Sequence, residues 1–145
     1  MANYANGKYQ LTNPKKYTGN KAPHYRSGWE HTFMRFCDNN PSVIGWASEA
    51  ITVPYRNPLT GKQTVYVPDF VVVYQDKKGR KIAEVIEIKP KSQTTLTEKT
   101  TKRDKLSVAI NHAKWEAAAK WCKLKGLRFR VVTEDDIFHK GKKRG

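Results

Sequence analysis

An α/β fold of the α+β kind, a mixed sheet of about four to five strands flanked by helices, is what the sequence predicts. Residues 43–89 read as alternating segments rich in Val and Ile, broken by turn residues, and they stand between two segments of helical periodicity. Length supplies the other bound, since 145 residues is enough for one core with little left for a second. The boundaries read as a basic, tyrosine-rich arm over 1–25, a domain over 26–133 and a basic tail over 134–145.

Residues 1–25 carry Lys8, Lys15, Lys16 and Lys21 interleaved with Tyr4, Tyr9, Tyr17 and Tyr25, and no acid. They read as an arm rather than a core element, with lysines for phosphates and tyrosines for bases or sugars. An extended segment whose tyrosines pack on the domain surface is the alternative. The first helix is predicted to start at Ser27, because Ser27-Gly28-Trp29-Glu30 fits an S-x-x-E capping box and Trp29, Phe33, Phe36 and Cys37 follow at helical spacing. Asn39-Asn40-Pro41 stops it. Glu30 lies beside that apolar stripe, where it fits the reciprocal cap of Ser27 without any chemistry.

Alternation over 43–55 predicts a strand whose end, at Pro54, is an edge or a bulge. The turn-rich run Arg56-Asn57-Pro58-Leu59-Thr60-Gly61-Lys62 closes a hairpin onto a strand over 63–74. Asp76-Lys77-Lys78-Gly79-Arg80 makes the next turn, and residues 81–89 form a third strand, the three making one antiparallel meander. Residues 90–105 are rich in Lys and Thr and read as a mobile basic loop. A long helix over 104–125 follows, with Leu106, Ile110, Ala113, Ala117, Trp121 and Leu124 as its buried stripe and Gly126 as C-cap. Residues 127–133 alternate as a last strand, with a right-handed crossover expected if it pairs in parallel.

Charge selects the partner. With 28 Lys and Arg against 13 Asp and Glu, the net charge of +15 attracts polyanions, and nucleic acid is the default among them. No run approaches the ~20 apolar residues of a membrane span. The N-terminus lacks a signal-peptide core, so the expectation is a soluble protein, not secreted and cytosolic where made. Cys37 and Cys122 have no Cys or His neighbour at zinc-ligand spacing and read as buried thiols, and His31 reads as exposed.

Strand parity sorts the acids, because alternate residues share a face. Glu87 and Lys89 share one face, while Glu84 falls on the other with Ile82, Ile86 and Ile88. Asp69 falls with Val67, Val71 and Val73, in a run that otherwise looks buried. A simple salt bridge to Lys89 would explain Asp69, but buried ion pairs stabilise weakly and Glu87 beside them adds repulsion that a cation relieves. Mg²⁺, with Mn²⁺ as a substitute, suits such oxygen ligands and keeps several of its waters. Asp69 and Glu87 are thus the predicted metal ligands, with the carbonyl of Ile88 a possible further one. Lys89 is expected to orient or help deprotonate a water, or to neutralise charge on a phosphate. Glu134-Asp135-Asp136 follows the last strand and is not assigned to the metal.

Pro68-Asp69 followed by Glu87-Ile88-Lys89 resembles the signature of the PD-(D/E)xK nuclease superfamily. The helix start Arg26-Ser27-Gly28-Trp29-Glu30 is similar to the one before that signature in phage Holliday-junction resolvases and in the endonuclease subunit of some transposons. The resemblance covers roughly residues 25–133 and implies a restriction-endonuclease-like core and metal-dependent DNA cleavage. It also implies that the helical glutamate, Glu30, joins Asp69, Glu87 and Lys89 as a catalytic residue and the two carboxylates as a metal ligand. Asn111 and Lys114, one turn apart on the long helix, lie where such enzymes place residues that touch the site or the phosphate. Arg26, Lys91, Lys102 and Arg103 join them as candidate contacts to double-stranded DNA. Over the whole chain, from Met1-Ala2-Asn3-Tyr4, the likeness extends to the head completion nuclease family of T-even tailed bacteriophages. That implies action on packaged DNA in the virion or the host cytoplasm, with phage head, portal or neck proteins as partners. A non-catalytic DNA-binding protein of the phage head or neck, and a structure-selective resolvase or transposase-type endonuclease, are the other two readings.

Overall fold

The structure, a computed structural model, describes residues 6–139. Met1-Ala2-Asn3-Tyr4 and the basic tail residues Lys140, Lys142, Lys143 and Arg144 lie outside the described residues. In chain order the elements are β1 (Gly7–Lys8), β2 (His24–Tyr25), α1 (Gly28–Asn39), β3 (Val43–Ser48), β4 (Val53–Arg56), β5 (Gln63–Tyr66), β6 (Phe70–Gln75), β7 (Lys81–Ile88), α2 (Lys102–Lys125), β8 (Arg128–Val132) and α3 (Glu134–His139). Single 3-10 turns occupy Pro14–Lys16 and Lys91–Gln93.

The centre is a four-stranded mixed sheet in the order β3-β6-β7-β8. β3, β6 and β7 form the expected antiparallel meander, and β8 pairs in parallel with β7 after the chain crosses through α2. Each of the first two predicted strands is in fact two. Residues 43–55 divide at 49–52, where Glu49 takes a left-handed φ of 50°, and residues 63–74 divide at 67–69, where Pro68 cannot donate to a ladder. Beyond the break, β4 and β5 pair only with each other, as a separate hairpin.

The sheet has a core on each side. Trp46, Phe70, Val72, Ile86, Ile88 and Val132 face α1 and meet Phe33, Met34 and Cys37. Burial of Met34, Phe70 and Ile86, each at most 1% exposed, contributes about 1.5–3 kcal/mol apiece. On the other side α2 covers β8 and the hairpin, with Ala113, Trp115, Ala118 and Trp121 against Val53, Tyr55, Tyr66 and Phe129. Thr101 Oγ1 caps α2 by accepting from the Asp104 N–H at 3.1 Å, and Gly126, with φ of 74°, ends it. The buried residues of α2 are Val108, Asn111, Ala118 and Cys122; of the predicted stripe Ala113, Ala117 and Trp121 pack beside them, and its two ends do not. Leu106 and Leu124 stand in solvent, at 52% and 88% exposure. Its apolar residues are spread around the helix, and packing against the hairpin chose among them. Cys37 and Cys122 are both buried and form no disulfide, as expected.

The described part of the expected arm, residues 6–25, is packed on the domain. β1 pairs with β2, Tyr9 is buried in the α1-side core, and Tyr17 lies edge-on to Trp46 at 4.8 Å. Asp38 holds this segment: fully buried at the end of α1, it accepts from Tyr9 Oη (2.8 Å), Thr12 N (2.7 Å) and Asn13 N (2.9 Å). Burial opposes its ionisation, but these bonds outweigh it and hold its carboxyl below the usual range. His31 is half-buried between the rings of Tyr9 and Tyr25 rather than exposed, at 5.6 and 4.5 Å. The loop after β7 is tied to α2, where Asn111 Nδ2 donates to the carbonyl of Gln93 (3.1 Å) and His112 Nε2 lies 2.8 Å from that of Thr94.

Candidate active site

The chain break before β6 builds the site. Phe70 pairs with Ile86, so Asp69, one residue outside the ladder, lies beside Glu87 and Ile88 at the end of β7. There the side chains continue what the backbone has stopped doing. The Ile88 N–H donates to Asp69 Oδ2 at 2.8 Å, and the Asp69 N–H donates to Glu87 Oε1 at 3.3 Å. The Asp69 carbonyl accepts from the Glu49 N–H (2.9 Å), which ties the end of β3 to the same point. Lys89 follows on the same face as Glu87, its Nζ 3.8 Å from Glu87 Oε2 and its N–H bonded to the Val132 carbonyl of β8 at 3.0 Å.

Two carboxylates are thus held together, Glu87 buried and Asp69 half-buried, and each resists its charge. Burial, then the charge of Glu87, then that of Glu30 push the Asp69 carboxyl well above the usual range, against the bond from Ile88. Burial raises Glu87 too, with Lys89 opposing. The salt bridge from Lys89 goes to Glu87; no Asp69–Lys89 pair forms among the described residues. Glu84 lies on the opposite face, buried and paired with Arg130 Nη2 at 3.3 Å.

Glu30 approaches from α1. Its N–H bonds Ser27 Oγ at 3.2 Å, but its carboxylate reaches past Ser27 to the Arg26 N–H at 3.1 Å, so the reciprocal half of the capping box is displaced by one residue. Burial raises its pKa, while the bond from Arg26 and the charge of Arg26 lower it. Its charge raises the pKa of Asp69 and is in turn favoured by Lys89, so the cap lies near the site without touching it in any hydrogen bond or ion pair among the described residues. Glu30 does not close a cage with Asp69 and Glu87: among the described residues no three His, Cys, Asp or Glu side chains stand close enough to enclose a metal. Two converging carboxylates nonetheless suit an ion that keeps most of its waters.

Three further side chains line this place. Tyr66, the last residue of β5, is buried with its hydroxyl towards Glu87 but outside hydrogen-bonding geometry, and the buried indole N–H of Trp115 stands in the same relation to Tyr66. Burial and then Glu87 drive the Tyr66 hydroxyl far upward, so it stays a neutral donor. Lys114 is half-buried on α2, its Nζ 5.6 Å from the Tyr66 ring centre and 6.0 Å from that of Tyr55. Burial, and then Lys89, lower its pKa, while Glu87 and Asp69 raise it. Tyr66 and Trp115 carry no signal in the sequence, since parity is lost across the break at Pro68 and Trp115 lies outside the predicted stripe.

The remaining candidates are scattered. Arg26 Nε pairs with Glu49 Oε2 at 3.1 Å near Glu30, largely in solvent. Asn111 is buried rather than on a polar flank. Lys91 Nζ lies 3.2 Å from Asp135 Oδ2, and its N–H donates to Glu134, so part of the acidic run is tied to this lysine. Lys102 and Arg103 are exposed on the first turn of α2, with no ion pair among the described residues.

Comparison with known proteins agrees with the fold. The family model described as TnsA-like endonuclease N terminal matches residues 40–134, which span the four-stranded sheet, the hairpin and α2, leaving Glu30 outside. The chain is also similar to the head completion nuclease of Enterobacteria phage T4, 34% identical over 142 residues, which cover 90% of this chain and 92% of that one. With the order of strands, the crossover helix and this match in agreement, the chain belongs to the TnsA-like endonuclease family, of PD-(D/E)xK type, and is a nuclease.

Proposed function

We propose that this nuclease is a Mg²⁺-dependent deoxyribonuclease that cuts or trims packaged phage DNA during head completion. The observation that carries the reading is the pair Asp69 and Glu87, two carboxylates held together at the break between β5 and β6 with Lys89 against them. Among the described residues only Lys89 is in salt-bridge contact with either carboxylate, Lys114 acting from further off, and a divalent cation supplies the charge that burial and repulsion demand. Asp69 and Glu87 would hold the ion, with Glu30 facing it from α1. When bound, Mg²⁺ supplies an activated water and a charge for the phosphate oxygens.

The chain's own groups do the rest. Lys89 orients the attacking water through its ammonium or neutralises the charge that develops on the phosphate. Lys114, fixed over two tyrosine rings with no carboxylate in salt-bridge contact among the described residues, binds a neighbouring phosphate. Arg26, Lys102 and Arg103, and Lys91 once released from Asp135, contact the backbone of the duplex. Asn111 acts one step removed, by fixing the loop through Gln93. The head completion role is supported by the similarity to the T4 protein along most of both chains, and head, portal or neck proteins are its partners in the host cytoplasm or virion.

Plasmid degradation tests the reading. The wild type should convert supercoiled DNA to open and linear forms in Mg²⁺ or Mn²⁺ and leave it intact in EDTA, and Asp69→Ala should lose the activity by at least ~10²-fold. Intact linear and circular DNA across metals and salt would sink the enzyme reading, and an active Asp69→Ala would sink the assigned site.

A further inference from the structure

The β4–β5 hairpin has one filled face and one empty one. Val53, Tyr55 and Tyr66 are buried against α2. The registers Pro54↔Val65 and Arg56↔Gln63 place these four side chains together on the opposite face, and all are exposed, Val65 by 58%. Val67, just past the strand, is exposed by 42%. Val65 and Val67 are the exposed apolar part of a face otherwise made of Arg56, Gln63 and Pro54.

The tip is built to hold its shape. The Asn57 N–H donates to the Lys62 carbonyl (2.9 Å), Gly61 N–H to the Asn57 carbonyl (2.8 Å), and Asn57 Oδ1 accepts from Leu59 N (2.8 Å) and Thr60 N (3.3 Å). Gly61 supplies the left-handed residue, with φ of 72°. From residue 50 to residue 68 there is no acid, and neither Arg56 nor Lys62 has an ion pair among the described residues. The hairpin is also continuous with the candidate site: β4 follows Glu49, and β5 runs through Val67 and Pro68 into Asp69.

We infer that the outer face of this hairpin enters the major groove of the duplex beside the cutting site, with Arg56 and Gln63 towards base edges, Val65 against thymine methyls and Lys62 on a phosphate. A two-stranded ribbon fits that groove, and Arg, Gln and an apolar side chain are the residue types that read guanine, adenine and thymine there. A second copy of the chain is the poorer occupant, because it would bring like charges of a +15 protein together. The inference rests on the nuclease reading only in taking the substrate to be double-stranded DNA.

The test measures binding, so that failure of cleavage and failure of this face are separate results. Full-length wild type and the double variant Arg56→Ala/Gln63→Ala are titrated against a short duplex in EDTA, with methyl green as a major-groove competitor and distamycin as a minor-groove one. The wild type should be displaced by methyl green. The variant, with an unchanged circular dichroism spectrum, should bind about tenfold more weakly and lose that sensitivity. In addition, Val65→Cys carrying an aryl azide should cross-link to bases. Equal affinity of variant and wild type, displacement by distamycin alone, or no cross-link overturns the inference while leaving nuclease activity in place. A Val65→Lys variant that changes the sedimentation coefficient but not DNA binding overturns it in favour of a protein partner.

Discussion

Asp69 is held by opposed demands: its backbone and carboxylate bond β7, and its charge is unwelcome there. Because its folded pKa is raised, its contribution to stability is present below the ordinary carboxylate range and is lost as pH rises through the raised value. Asp69→Asn should therefore melt several degrees higher than the wild type at neutral pH without metal, the difference closing below about pH 4; equal melting curves at neutral pH would refute the repulsion. Asp38 runs the other way. Its depressed pKa gives stability that is present above the ordinary aspartate value and lost as pH falls through the depressed one. Asp38→Ala leaves the Tyr9 hydroxyl and two backbone N–H groups without their acceptor, a loss of about 2–4 kcal/mol in urea unfolding. A loss under ~1 kcal/mol would mean that the N-terminal segment is held by other contacts. Glu87 and Lys89 could be grouped from sequence because parity within a strand is local, and Asp69 joined them through the chemistry of a metal site, whereas Asp38 gives no such sign, its partners being 25 or more residues away.

At the scale of elements, caps and turns were readable and faces were not. Ser27 caps α1 and Gly126 ends α2 through groups within a few residues of one another, as read, whereas the cap of α2 is Thr101, ahead of the start read at residue 104. The buried side of α2 was read only in part, Ala113, Ala117 and Trp121 correctly, because its alanines and tryptophans leave several faces apolar enough, and Val53, Tyr55 and Phe129 decided which is covered. Two substitutions separate the faces. Leu124→Gln should change stability by less than ~0.5 kcal/mol, while Ala118→Leu, at a site with no exposure, should cost about 1–3 kcal/mol. Thermal or urea denaturation checks both, and the reverse order would return the helix to the predicted stripe. The breaks at 49–52 and 67–69 were hidden in apolar alternation that runs on either side of them, although Pro68 marks the second.

For the whole molecule, a net charge of +15 dominates the approach to DNA. Binding should weaken by roughly 10³-fold or more between about 50 and 200 mM salt if some six phosphates or more are neutralised, as measured by fluorescence anisotropy in EDTA. A salt-independent affinity would point away from backbone contacts. Sequence by itself indicated the antiparallel meander, the start of α1 and the end of α2, a polyanion as partner and Glu87 with Lys89 on one face, because each depends on composition or on residues near one another in the chain. Only the tertiary structure decided that residues 6–25 pack against the α1-side core, that β4–β5 stands apart from the central sheet, and that Glu30, Tyr66 and Lys114 come near the same carboxylates. Those outcomes depend on packing between segments remote in sequence, where burial and shape choose among faces that local periodicity leaves equivalent.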